Sequence, residues 1–234
     1  MSTITVLPKE IMTAVRWAFR ARQIQASYAY PVGQLALKMQ LFHGAGLAEV
    51  VALLQVGQKP CVPELISDEG GEGVINGRSQ PPLFCASQLF DFATSRAAQQ
   101  GSYALHVTNL PPLSQPLVEA LLIQMGEQAF GGWVNTADSQ FVGTVPIGKP
   151  PVVMGFLTQD KAIFGKENGR SDMPNHRFTL FCSRELANSP LPEDQVAKQL
   201  RKRQQAWGRA YRDGIEVETA VWSALKSITN EILI

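Results

Sequence analysis

Residues 84 to 136 constrain the fold most. "FCASQLFDFATSRAAQ" (84 to 99) has the apolar spacing of a helix, Gly101 follows it, and "SYALHV" (102 to 107) reads as a short buried strand. A second helix over 114 to 128 and a second strand over 131 to 136 complete the rhythm. Two short apolar strands separated by one helix of this length predict a βαβ unit with parallel strands. Ligands in open α/β sheets bind beyond the carboxyl ends of the strands, and "TNLPPLSQ" occupies that place. This loop carries two prolines and almost no group that could transfer a proton.

On either side the pattern changes. "PKEIMTAVRWAFRARQI" (8 to 24) spaces Ile11, Val15, Ala18 and Phe19 by three and four, with Pro8 in the first turn, so it is a predicted amphipathic helix. Further helices are expected at 31 to 42, ending near "HGAG", and at 46 to 55, stopped by Gly57. Residues 1–57 therefore read as a helical module and 58–82, rich in Gly, Pro and acids, as a loop connector with room for one short strand near Val74 and Ile75. Its "EGGEG" is no phosphate cradle, because Asp68, Glu69 and Glu72 would repel phosphate and no Lys accompanies them. An α/β core over 83–190 adds strands at 141 to 147, 151 to 157 and 177 to 182. Helices from Pro192 to Tyr211 and from Val217 to Ile232 make up 191–234.

Charge and cysteine usage narrow the function classes. With 21 basic and 20 acidic residues the net charge is +1, so no global field attracts nucleic acid or an anionic membrane. The basic run "KQLRKRQQAWGR" reads as a solvated helix face. No signal-like leader or long apolar run is present, which implies a cytoplasmic protein. Cys61, Cys85 and Cys182 are odd in number and in no ligand spacing, so neither a disulfide framework nor a metal site is expected.

Single residues are weighed the same way. His106 sits inside an apolar strand and reads as a core group, His176 as a loop residue. Ser114 is placed to cap helix 114 to 128, with no His or Asp nearby to make it a nucleophile. Asp138 and Asp160 follow predicted strands and fit solvated turns. Trp17, Trp133, Trp207 and Trp222 fall on apolar faces as core or interface anchors.

The order of segments resembles the type 2 malate and L-lactate dehydrogenase family, which includes ureidoglycolate dehydrogenase and diketogulonate reductase. That family's Ser-His-Gly motif has a counterpart in "FHGAGL" (42 to 47). Its helix, strand and Asn-Ser-x-His loop correspond to "AAQQG", "SYALHV" and "TNLPP". "MGEQAFGGWVNTAD", "PPVVMGFLTQ" and the closing "YRDGIEVETAVWSALKSI" follow in the family's order. The resemblance implies an α/β fold with a mixed or parallel sheet flanked by helices, and N- and C-terminal helices packed together. It also implies a homodimer of bacterial type, NAD(P)H as a candidate cofactor and a small carboxylate as ligand.

The departures are at the chemistry. The resemblance places a proton-transferring His in the loop where this chain has Leu110, Pro111 and Pro112, and proline cannot titrate. It places a carboxylate-binding Arg where Leu47 stands, and Ser where Phe42 stands. Its strand-end Asp and Ser are Gly155 and Gln159, and a middle segment with Gly-Lys-Gly is missing. The residues left as binding candidates are His43, Gly44, Asn109 and Thr158, with His43 the one candidate for catalysis. The expectation is a divergent chain, a pseudoenzyme that has lost hydride transfer and serves as a binding or partner protein. The alternative is an NAD(P)H-dependent reductase of a small keto or imino acid, or another small-carboxylate enzyme, with a rebuilt site.

Overall fold

The structure is a computed structural model that describes residues 2–136, 139–144, 151–157, 175–188 and 193–231. In chain order its elements are β1 (Thr3–Val6), α1 (Pro8–Ala21), α2 (Ala26–His43), α3 (Gly46–Val56), β2 (Glu64–Glu69), β3 (Glu72–Asn76), α4 (Pro82–Gln100), β4 (Ser102–Thr108) and α5 (Gln115–Glu127). There follow β5 (Gly131–Thr136), β6 (Ser139–Thr144), β7 (Val152–Leu157), β8 (His176–Ser183), α6 (Glu193–Asp213), β9 (Ile215–Glu218) and α7 (Thr219–Asn230). The chain divides into two compact units, Met1–Pro60 with Lys198–Ile234, and Cys61–Ala197.

The first unit joins the two ends of the chain. Helix α1 buries Ile11, Ala14, Val15, Ala18 and Phe19 along one face. Each of the larger side chains contributes about 1.5–3 kcal/mol by leaving water. Its start is fixed by Pro8 at the first position and by Glu10, whose carboxylate accepts the Leu7 N–H at 2.8 Å. α1 packs on α2 and on α7, so the N- and C-terminal helices do lie together. Helix α2 starts at Ala26, five residues before the predicted start, and carries Pro31 inside it. The proline that reads as a helix start in sequence sits one turn in, because Ala29 is already buried on the core-facing side.

Between α2 and α3 lies the "FHGAGL" corner. Gly44 caps α2 with φ of 71°, and α3 starts so close to α2 that a Cβ on Gly46 would stand 1.9 Å from the Ala36 carbonyl oxygen. Strands β1 and β9 pair antiparallel, Ile4 opposite Val217 and Val6 opposite Ile215. Neither is in the sequence reading, which began the last helix at Val217. The alternation is nonetheless there, with Ile215 and Val217 buried and Glu216 and Glu218 exposed.

The second unit holds a seven-stranded sheet in the order β2-β3-β4-β8-β5-β6-β7. Only β3 and β4 are parallel neighbours; every other pair is antiparallel. Helices α4 and α5 touch one another, α4 resting on β4 and β8, and α5 on β5, β6 and β7. The fold is thus α/β with a mixed sheet, one of the two arrangements that the resemblance implies.

Two expectations are corrected here. The strands at 102 to 107 and 131 to 136 are not adjacent, because β8 runs between them and pairs Leu180 with both Leu105 and Val134. They do run parallel to one another, each being antiparallel to β8, and the parallel neighbours are β3 and β4, joined through α4. The connector does hold a strand at Val74 and Ile75, β3, and adds β2 before it, so that the two form a hairpin. Its Gly70 and Gly71 both have positive φ, 61° and 84°, which a two-residue hairpin turn demands. Asp68 anchors the hairpin: it accepts the Tyr103 hydroxyl at 2.7 Å and pairs with Arg96, whose guanidinium lies 5.4 Å over the Phe92 ring.

Candidate functional site

In the first unit a cleft of about 680 Å³ opens where α2 ends, beside β1, β9 and α6. Its lining includes His43 and Gly44, the hydroxyls of Thr3 and Thr5, Arg209, and the carboxylates of Asp213, Glu216 and Glu218. His43 and Gly44 are exposed. Gln40, just below them, is buried and fully engaged: its Nε2 donates to the Glu216 carbonyl at 3.0 Å and its Oε1 accepts the Leu47 N–H at 3.2 Å. One side chain thereby ties the α2–α3 corner to β9. Asp213 takes two hydrogen bonds from the Arg212 Nε, at 3.2 and 3.3 Å. The cleft offers charges of both signs within one small volume, and its walls belong to regular elements.

Leu47, the position that the resemblance gives to a carboxylate-binding Arg, is 0% exposed. A guanidinium there would be buried without water. The same corner therefore holds one exposed polar residue, His43, and one core residue where a second polar group is expected.

In the second unit the carboxyl ends of β3 and β4 lie side by side, Asn76 opposite Thr108. Their loops lock together. The Gly77 N–H donates to Thr108 O at 2.8 Å, Ser79 N–H to Asn109 O at 2.6 Å, and Asn109 N–H to Asn175 O at 3.1 Å. Four non-glycine residues here have positive φ: Arg78 (54°), Ser79 (52°), Asn109 (49°) and Asn175 (59°). Each is a backbone state that the surrounding hydrogen bonds must hold, at a cost on the order of 1 kcal/mol or more for residues other than Asn. Leu110 points inward and is 1% exposed. A Cβ on Gly77 would meet its Cδ1 at 2.7 Å, so Gly77 is small because Leu110 fills the space beside it. Pro111 and Pro112 are exposed, and no peptide bond among the described residues is cis.

Beside the loop Arg78 pairs with Glu64 at 3.4 Å, both side chains about half exposed. Sequence reasoning missed Arg78 and Ser79. The available signal was "NG" at Asn76–Gly77, a turn dipeptide that also ends a strand.

The structure brings His43 and Gly44 together in the first unit and places Asn109 in the second; Thr158 lies outside the described residues, as do Asp138, Gln159 and Asp160. Ser114 caps α5, its Oγ accepting the Leu117 N–H at 3.4 Å. His106 is buried in β4, its Nδ1 3.0 Å from the Thr179 hydroxyl and its Nε2 4.0 Å from Glu72. Trp17 is no core anchor: it is 36% exposed, flanked by the guanidinium groups of Arg16 and Arg20 at 5.9 and 5.0 Å from its ring. Burial pushes the thiols of Cys85 and Cys182 up to about 12, which leaves them protonated and unreactive at neutral pH. Burial, and then its bond to Asp68, likewise raise the Tyr103 hydroxyl. Among the described residues no helix is long and apolar enough to cross a membrane.

No family model matches the chain, and no curated protein does. Solved structures do. A dehydrogenase from Sinorhizobium meliloti superposes with a TM-score of 0.73 at 11% identity, over 97% of this chain and 100% of that one. The chain has the malate/lactate dehydrogenase-like fold. Malate dehydrogenase from Entamoeba histolytica superposes at 0.72 with 8% identity, over 100% and 99% of the two chains. Δ1-piperideine-2-carboxylate reductase from Pseudomonas syringae pvar. tomato superposes at 0.67 with 10% identity, over 96% and 99%.

Proposed function

We propose that this chain is a dehydrogenase-fold protein without hydride transfer, one that binds a small carboxylate in the cleft of its first unit. One observation carries the reading: the loop expected to transfer a proton holds Leu110, packed in the core, and then Pro111 and Pro112, and the position expected to bind a carboxylate is the core residue Leu47. A loop whose leading side chain is packed inward, followed by two prolines, has no acid or base to offer a carbonyl.

Dinucleotide binding would fall to the strand-to-helix turns of the second unit. A pyrophosphate is held by free N–H groups at a strand-to-helix turn. Here α4 is preceded by Pro81 and begins with Pro82, and α5 has Pro116 in its first turn and its Ser114 cap on the Leu117 N–H. These turns do not fit a pyrophosphate.

The ligand class follows from the cleft. His43 and Arg209 suit a carboxylate, while Asp213, Glu216 and Glu218 disfavour a simple anion and suit an amine. A small zwitterion bearing both groups satisfies the lining best, with Gly44 letting it approach the backbone. The protein is read as cytoplasmic and homodimeric, which light scattering would check.

The fold likeness to a reductase of a cyclic imino acid keeps the enzyme reading as the second one. Titration with NADPH and NADH, followed by nicotinamide fluorescence and thermal stability, separates the two. Stabilisation by small amino acids without any by dinucleotide is the expected result. A dinucleotide Kd below about 100 µM, near −5.5 kcal/mol, with turnover of a keto or imino acid would overturn the proposal.

A further inference from the structure

Helix α6 concentrates positive charge in a chain that is nearly neutral overall. From Lys198 to Arg212 it contains Lys198, Arg201, Lys202, Arg203, Arg209 and Arg212 and no acidic residue, in a chain whose net charge is +1. That stretch spans about 21 Å at 1.5 Å per residue. All of these cations except Arg203 are exposed. Read from sequence alone, such a run is a solvated face.

The structure adds aromatic rings to it. Arg203 lies 5.6 Å over Phe42, Phe42 meets Trp207 edge-on at 6.3 Å, and Trp207 stacks on Tyr211 at 5.6 Å with 24° between the planes. The series ends in the open: Tyr211 is 71% exposed, a large aromatic surface left in water. On the same helix Gly208 lowers helix stability relative to alanine. A Cβ there would touch nothing within 4 Å, so packing does not demand the glycine. Gly208 instead floors a cleft of about 420 Å³ whose other lining residues are Gln205, Arg209 and Arg212.

We infer that α6 binds single-stranded nucleic acid, the phosphates along its cationic face and a base on Tyr211, which flanks that face about a quarter turn from Arg212. Arginines spaced along a helix neutralise successive phosphates, an exposed aromatic stack receives a base on its open side, and a glycine lets the strand approach the backbone. A folded acidic protein would use the cations but not the ring. An anionic bilayer would need apolar side chains on this face, yet Val196, Leu200 and Ala210 are buried.

The test is fluorescence anisotropy with labelled 15-nucleotide uridine and thymidine oligomers, which also tells RNA from DNA. With about four phosphates contacted at about −0.7 each, raising salt from 50 to 200 mM weakens binding about fiftyfold. Tyr211→Ala is expected to weaken binding about tenfold without changing the salt slope. Tyr211→Phe, which keeps the ring, should bind as the parent does and guards against a folding artefact. Arg209→Gln with Arg212→Gln should lower the slope by about 1.4. No binding to either oligomer at 50 mM salt overturns the inference. So does binding that Tyr211→Ala leaves unchanged, or that heparin or anionic vesicles match, since charge alone would then explain it.

Discussion

The α2–α3 corner of the first unit and the β3/β4 loop ends of the second are built by opposite means. At the corner, backbone closeness does the work: Gly46 passes under the Ala36 carbonyl, the helices lock, and His43 and Gly44 remain exposed above a polar cleft. At the strand ends a side chain does it: Leu110 drops into the core against Gly77 and the loop closes over it. A site can stay available only where its scaffold is rigid without using the functional residues as filling. By that measure the corner is suited to bind, and the strand-end loop has become part of the core.

The comparison predicts where substitutions hurt most. Gly46→Ala places a methyl group 1.9 Å from a backbone oxygen that cannot swing away, so α2 and α3 must separate. The expected loss exceeds about 4 kcal/mol, among the largest single-residue effects, read as a collapse of the melting transition or of soluble yield. Survival of the Gly46→Ala protein with a normal melt would show that the corner is looser than its geometry.

At the strand ends the effects should be smaller and coupled. Leu110→Ala empties a buried site and is expected to cost about 2–5 kcal/mol. Gly77→Ala crowds Leu110 and should cost about 1–3 kcal/mol. In the double variant the new methyl group enters the space that Leu110 vacates, so the loss should fall short of the sum by roughly 1 kcal/mol. Additive losses in denaturant titrations would mean that the two residues do not share one space.

Thiol chemistry reads the second unit's core from another side. Cys85 and Cys182 are buried, Cys61 is half-buried, and all three are free. At pH 8 one thiol should react quickly with a disulfide reagent and all three after denaturation. The folded state raises the thiols of Cys85 and Cys182 from 9.0 to about 12. Their contribution to stability is therefore complete below pH 9 and is lost as pH rises from there towards 12. A stability curve flat across that window would show that water reaches these thiols.

How much of this was legible depends on the range of the contacts. The helices of the first unit and α4, β4 and α5 follow local periodicity, and the sequence shows them to within a few residues. The position of β8 between β4 and β5 depends on Leu180 meeting Leu105 and Val134, a pairing that no local window contains. Likewise β1 is four residues long and finds its partner β9 only at the other end of the chain. For the site, the absence of a proton donor at Leu110–Pro112 is plain from residue type. That Leu110 fills the core, and that His43 shares its cleft with Arg209 and three carboxylates, needed the packing.

The smallest effects sharpen the contrast between the two regions. Asn109 holds φ at 49° and its backbone joins Ser79 to Asn175. If its role is conformational, Asn109→Gly should change stability by no more than a few tenths of a kcal/mol, while Asn109→Ala should cost about 1 kcal/mol. His43→Ala, at an exposed position, should alter stability by less than about 0.5 kcal/mol. It should nonetheless abolish the stabilisation that a small amino acid confers, because the cleft loses one of its two carboxylate-binding groups. The decisive pattern is crossed: ligand response lost with stability kept at His43, and stability lost with ligand response kept at Asn109. If Asn109→Gly, which preserves the backbone, were the variant that lost the ligand response, the strand-end loop would be the binding site and the corner only a scaffold.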